Sequence, residues 1–92
     1  MNPLFVIVHE VCVNSYCVTK EIERIKREED FITITGHTGS IPDNVPKQRE
    51  VKVCGAYGEI CVWAVCDAFK RRGYNTEIFS PATEYVEEKP IE

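Results

Sequence analysis

The run Leu4-Phe5-Val6-Ile7-Val8 is unbroken by any polar residue. A strand with no wet face must be buried on both sides, the condition of a parallel sheet sandwiched by helices. The rest of the chain supplies the other parts of such a sheet. Asn14 or Ser15 can cap a helix. In it Val18, Ile22 and Ile25 recur at helical spacing, with Lys20, Glu21, Glu23, Arg24 and Lys26 on the opposite side. Phe31–Thr35 reads as a second strand and Val51–Cys54 as a third, with Gly55-Ala56-Tyr57-Gly58 as the turn after it. Ile60, Val62, Trp63, Val65, Cys66 and Phe69 form the expected apolar side of a second helix. Its end is Lys70-Arg71-Arg72-Gly73, which suits both the helix dipole and the residue past the C-cap. Asn75–Phe79 reads as a fourth strand, ended by Ser80-Pro81.

The order is strand-helix-strand, a long connection from Gly36 to Glu50, then strand-helix-strand. Right-handed crossovers with one reversal of direction put the strands in the order 2-1-3-4. The expected fold is therefore α/β: a small open parallel four-stranded sheet with one helix on each face. Residues 1–85 are expected to form a single α/β domain and residues 86–92 a charged C-terminal tail that frays. A chain of 92 residues has a thin core, since folding at this size hides only roughly 60–65% of the unfolded surface.

Several classes of function are disfavoured. The net charge is −4 and no basic patch stands out, so no nucleic-acid partner is expected. Leu4–Val8 is far too short to span a membrane or serve as a signal peptide, so the expected location is cytoplasmic. The Gly55–Gly58 turn lacks the G-x-G-x-x-G dinucleotide pattern, and no cofactor is expected. Cys66 and Arg72 match the C-x5-R phosphate-loop spacing, but the match lies inside an amphipathic helix without a glycine. Gly36-His37-Thr38-Gly39-Ser40 could hold an anion, yet no helix follows it, and a plain turn is the simpler reading. The five cysteines include two x4 pairs, Cys12/Cys17 and Cys61/Cys66. Five positions turn about 140° around a helix, so Cys61 and Cys66 would not share a metal, and no metal site is expected. Most of these thiols read as small buried apolar groups.

Topology places a site before any motif does. Ligands of open parallel sheets bind at the carboxyl ends of the strands where the strand order reverses, between strands 1 and 3. Delivered there are His9, Glu10, Val11 and Cys12 from strand 1, and Gly55 through Cys61 from strand 3. Cys61 falls in the first turn of the second helix, where unpaired amides and the helix dipole favour a thiolate. A thiolate beside free N–H donors supplies the nucleophile and oxyanion hole of an acyl-transfer site. Glu10 is the candidate general base and His37 a substitute base or substrate ligand. His9, Gly55, Ala56, Tyr57 and Gly58 are candidate ligand-binding residues. The plain alternative is that Cys61 packs beneath the turn and Glu10 is a solvated strand end.

Gly55-Ala56-Tyr57-Gly58-Glu59-Ile60-Cys61-Val62, then Ala64, Asp67-Ala68 and Arg72-Gly73-Tyr74, resembles the nucleophile region of the isochorismatase-like cysteine hydrolases, which include nicotinamidases. Ser80-Pro81-Ala82-Thr83 and Leu4–Val8 also look like segments of that family. The resemblance implies an Asp-Lys-Cys triad and a non-proline cis peptide, which would fall at Ala56-Tyr57. Cys61 matches the cysteine. The aspartate aligns with Val8 or Glu10, and no lysine aligns: Lys52 starts strand 3 and Lys47 precedes it. The family's Thr-Asp pair reads Gly58-Glu59, and the chain is about half the usual length. The resemblance therefore implies a reduced, non-catalytic relative that binds a small molecule. The alternative is a cysteine hydrolase acting on a small amide or related carbonyl compound through Cys61.

Two helices cannot cover both faces of four apolar strands, and small domains commonly compensate by self-association. A homodimer is expected, through a sheet face or through the second helix around Trp63. In such a dimer Lys47 or Arg49 of the partner could complete the site by supplying a basic residue.

Overall fold

The computed structural model describes residues 2–36, 41–42 and 44–85. In chain order the strands are β1 (Leu4–Val8), β2 (Asp30–Ile34), β3 (Val51–Ala56) and β4 (Thr76–Glu84), with helices α1 (Tyr16–Glu28) and α2 (Trp63–Arg71). The sheet order is β2-β1-β3-β4 and every pairing is parallel, as the crossover argument requires. His37 and the neighbouring Thr38, Gly39 and Ser40 lie outside the described residues, as does the 86–92 segment.

All five residues of β1 are buried. Alternation along the strand sends Leu4, Val6 and Val8 to one face with Val62, Val65, Cys66 and Phe69. It sends Phe5 and Ile7 to the other with Val18, Ile22 and Ile25. One helix thus covers each face. Ile41 and Val45 of the long connection pack on the α2 side, where the Tyr74 hydroxyl donates to the Val45 carbonyl.

The α1 start follows the sequence closely. Ser15 is the N-cap and its hydroxyl accepts the Val18 N–H at 3.3 Å. A second cap comes from the far end of the chain: Glu84 Oε1 accepts the N–H groups of Asn14 at 2.6 Å and Ser15 at 2.8 Å. A carboxylate at a helix N-terminus meets both the unsatisfied donors and the favourable end of the dipole. Glu84→Ala is expected to cost about 1–2 kcal/mol and to speed amide exchange at Asn14 and Ser15 ahead of the β1 amides. Hydrogen exchange followed by NMR checks both.

Several boundaries differ from the sequence reading, β2 and the start of β4 by a single residue and three places by more. β3 runs two residues past Cys54, through Gly55 and Ala56. β4 does not stop at Pro81 but continues to Glu84. It is an edge strand, so the missing Pro N–H breaks no ladder bond toward a neighbour. The extra residues are absorbed in an irregularity: Val53 pairs with Ile78, yet Gly55 pairs with Thr83. Thr83 Oγ1 donates to the Phe79 carbonyl at 2.8 Å across it. Finally, a wide π-helical turn, Gly58–Val62, leads into α2. Ile60 and Trp63 do not join the apolar side of that helix; they are 56% and 59% exposed. Val62, Val65, Cys66 and Phe69 already fill the i, i+3, i+4, i+7 stripe, and Trp63 sits about 100° away from Val62 around the axis.

Candidate functional site at the cysteine turn

The reversal point between β1 and β3 is built by close backbone approach. Val8 pairs with Gly55, whose φ is 109°. A Cβ at that position would run into the Val8 carbonyl oxygen and stand 2.6 Å from the Val8 nitrogen. Only glycine accepts both the conformation and the contact. On the neighbouring strand His9 takes a left-handed conformation, φ 47°. Its N–H donates to the Ile34 carbonyl at 2.8 Å, and its own carbonyl accepts the Cys12 N–H at 2.9 Å. His9 is thereby the hinge from β1 into the short 3-10 turn Glu10–Cys12.

The Ala56-Tyr57 peptide is cis. The chain then winds into the Gly58–Val62 turn, where the Tyr57 carbonyl accepts N–H groups from Ile60 at 3.1 Å and Val62 at 3.0 Å. Gly58 is buried beneath Tyr85, and a Cβ on it would strike the Tyr85 ring. Cys61 is half-buried and packs against the core on the α2 side. Gly55, Ala56, Tyr57, Gly58 and Cys61 therefore form one continuous feature at the carboxyl edge of the sheet.

Glu10 does not join that feature. Its carboxylate accepts two hydrogen bonds from Lys26 Nζ, at 2.9 and 3.1 Å. It lines a groove of about 290 Å³ with Val11, Val13, Thr19 and Ile22, on the α1 side. Cys61 faces the α2 side. The structure thus carries the candidate base and the candidate nucleophile to opposite faces of the sheet.

The lysines and arginine considered as substitutes are also committed elsewhere. Lys52 pairs with Glu77 and lies 3.6 Å from Glu50. The Glu77 hydrogen bond holds its ammonium above the ordinary lysine range, against the cost of desolvation. Lys47 Nζ donates to the Arg72 carbonyl at 2.6 Å and stands 5.2 Å from the Tyr74 ring centre. Arg49 binds Asp30 and the Asn2 and Pro3 carbonyls, at the amino edge of the strands.

Tyr85 and Glu84 were not legible as site residues, because Pro81 reads as the end of the last strand. One ring covers the cysteine turn, and the adjacent carboxylate caps α1.

All five thiols are free, but they differ in access. Cys54 is fully buried, and burial pushes its thiol up to about 12, with Glu10 and Glu21 adding to the shift. Burial also raises Cys66, against the opposing pull of Lys70. Alkylation needs a thiolate that reagent can reach. At neutral pH, iodoacetamide is expected to modify Cys12, Cys17 and Cys61 in the native protein and to leave Cys54 and Cys66 intact until urea is added. Peptide mass mapping checks the order. Cys54 keeps its proton in the fold after the unfolded thiol, near 9, has lost its own. Its contribution to stability is thus full below about 9 and is lost as pH rises through about 12.

Among the described residues no three histidine, cysteine, aspartate or glutamate side chains converge on a metal position. No helix among them is long and apolar enough to cross a membrane. No family model, curated protein or solved structure matches this chain.

Proposed function

We propose that this chain is a reduced, isochorismatase-like cytoplasmic domain that binds a small carbonyl compound at the cysteine turn without hydrolysing it. The observation that carries this reading is the separation of Glu10 from Cys61. A cysteine hydrolase needs a base within hydrogen-bond reach of its thiol. Glu10 is held by Lys26 on the other face, and Lys52 by Glu77. The binding half of the proposal rests on the Gly58–Val62 turn. The Ile60 and Val62 amides are taken by the Tyr57 carbonyl; the other amides of that turn, at the carboxyl edge of a parallel sheet where its order reverses, suit a carbonyl or carboxylate oxygen.

A second reading keeps the chemistry: Cys61 as the nucleophile of an amide or ester hydrolase. Its support is the position of that half-buried thiol on the turn that follows β3. Steady-state turnover of p-nitrophenyl acetate separates the two. The non-catalytic reading predicts that Cys61→Ser leaves the slow background rate within about twofold. A loss of about a hundredfold or more, the scale of a removed nucleophile and its base, would establish the hydrolase instead.

A further inference from the structure

Two consecutive residues at the end of β4 reach in two directions. The Glu84 carboxylate accepts the Asn14 and Ser15 N–H groups and so holds the start of α1. Tyr85 lays its ring on Gly58, the first residue of the cysteine turn, so closely that a Cβ there would meet the ring carbons. The last rung of the sheet, Ala56 with Glu84, lies beside both contacts.

The firm anchorage of this segment ends just before it. Ala82 and Thr83 are buried, and the Thr83 hydroxyl is tied to the Phe79 carbonyl. Glu84 is half-buried and Tyr85 is 44% exposed. β4 is an edge strand, so the segment has a sheet neighbour on one side only. Past the irregularity its pairings are Gly55 with Thr83 and Ala56 with Glu84. Tyr85 is therefore kept on the turn by one rung and by two hydrogen bonds of Glu84 near the protein surface. Segments with few buried contacts and accessible hydrogen bonds open locally before the fold does.

We propose that Glu84 and Tyr85 form a lid on the cysteine turn, with the Tyr85 ring as its cover and the Glu84 hold on α1 as its latch. This lid presupposes that the turn is the ligand-binding site. Ring and ligand compete for the surface at Gly58. Opening takes a rotation of two residues about the anchored Thr83, at the end of an element where hinges form. The same rotation removes the carboxylate from Asn14 and Ser15. Occupation of the turn is thereby coupled to the start of α1, the helix that covers the opposite face of the sheet. The apparent affinity of a site that must open is reduced to the fraction of molecules that are open, so loosening the latch tightens binding.

Acetate is the probe, titrated by NMR into the full chain and into Tyr85→Ala, Tyr85→Phe, Glu84→Ala and Glu84→Gln. Amide exchange of each is measured without acetate, relative to the β1 amides. The Gly58 Hα resonance is expected to lose its ring-current shift in Tyr85→Ala and to move part of the way there in Glu84→Ala. The Gly58–Cys61 amides should exchange at least about tenfold faster in Tyr85→Ala. Acetate should bind both alanine variants at least about threefold more tightly than the unaltered chain. Glu84→Gln, which keeps one acceptor oxygen, should fall between, and Tyr85→Phe should match the unaltered chain. A Gly58 resonance and turn exchange left unchanged by Glu84→Ala would overturn the proposal. So would acetate bound equally or more weakly by Tyr85→Ala, because the ring would then be a wall of the site. If acetate shifts no turn amide in any variant, the binding reading fails and the exchange rates still decide the lid. Faster turn exchange in both alanine variants then upholds it, and unchanged rates overturn it.

Discussion

Gly55→Ala is expected to be the most damaging single-methyl change in this chain. The added Cβ would overlap the Val8 carbonyl where the two central strands end, and alanine would be held at φ 109°. A non-glycine residue in such a conformation costs about 1–3 kcal/mol, and forcing the two backbones apart adds about 1–3 kcal/mol. A 92-residue domain has roughly 5–14 kcal/mol of stability in total. The variant should lose at least about 3 kcal/mol of it. Chemical denaturation gives the number directly. Gly73→Ala is the internal comparison. Gly73 also has a positive φ, 93°, but nothing lies within 4 Å of its Cβ position, so only the conformational part should be lost. Equal losses at the two positions would mean that the Val8 contact contributes nothing.

Phe69→Ala should cost about 3–5 kcal/mol, the range for removing a buried aromatic ring. Phe69 is the largest fully buried side chain among the described residues and meets Tyr74 edge to face at 5.3 Å. Tyr74 in turn ties the long connection to α2 through the Val45 carbonyl. The cavity therefore sits where three segments converge, and none can close it alone. Trp63→Ala removes a larger ring from the same helix, yet it should change stability by less than about 1 kcal/mol, because the indole is 59% exposed. Urea melts of the two variants make the comparison. A Trp63 loss as large as that of Phe69 would place the indole in the core.

The fold was largely legible because its strongest signals are local. An apolar pentapeptide specified a doubly covered strand. The Val18, Ile22, Ile25 spacing specified the buried side of α1. Crossover handedness then left one economical strand order. The misreadings arise where tertiary position overrides a local rule. Pro81 reads as a strand end but sits on an edge where its missing donor costs nothing. Trp63 reads as part of the apolar side of α2 by its spacing, but Val62, Val65, Cys66 and Phe69 had already filled the stripe.

The candidate site was legible in half. Gly55 through Cys61 leave the sheet at the reversal point, as topology implied, but Gly55 and Ala56 still belong to β3, and Cys61 lies in the π-helical turn ahead of α2 instead of in its first turn; the expected cis peptide lies at Ala56-Tyr57. The assignment of Glu10 as base followed from strand ends alone. Sequence gives which residues leave the sheet at one edge, but not the side of the sheet to which each side chain turns. Lys26, sixteen residues further on, decides that for Glu10 by drawing its carboxylate to α1. Glu84 and Tyr85 were hidden for the same reason as the second half of β4.

Amide chemical shifts of the full chain, titrated with acetamide and with acetate, test the central claim most directly. The account predicts saturable shifts at Gly58 through Val62, with small or no change in the Glu10–Thr19 groove and no product formed. Shifts confined to the Glu10 groove, or none at the cysteine turn at any concentration, would contradict it.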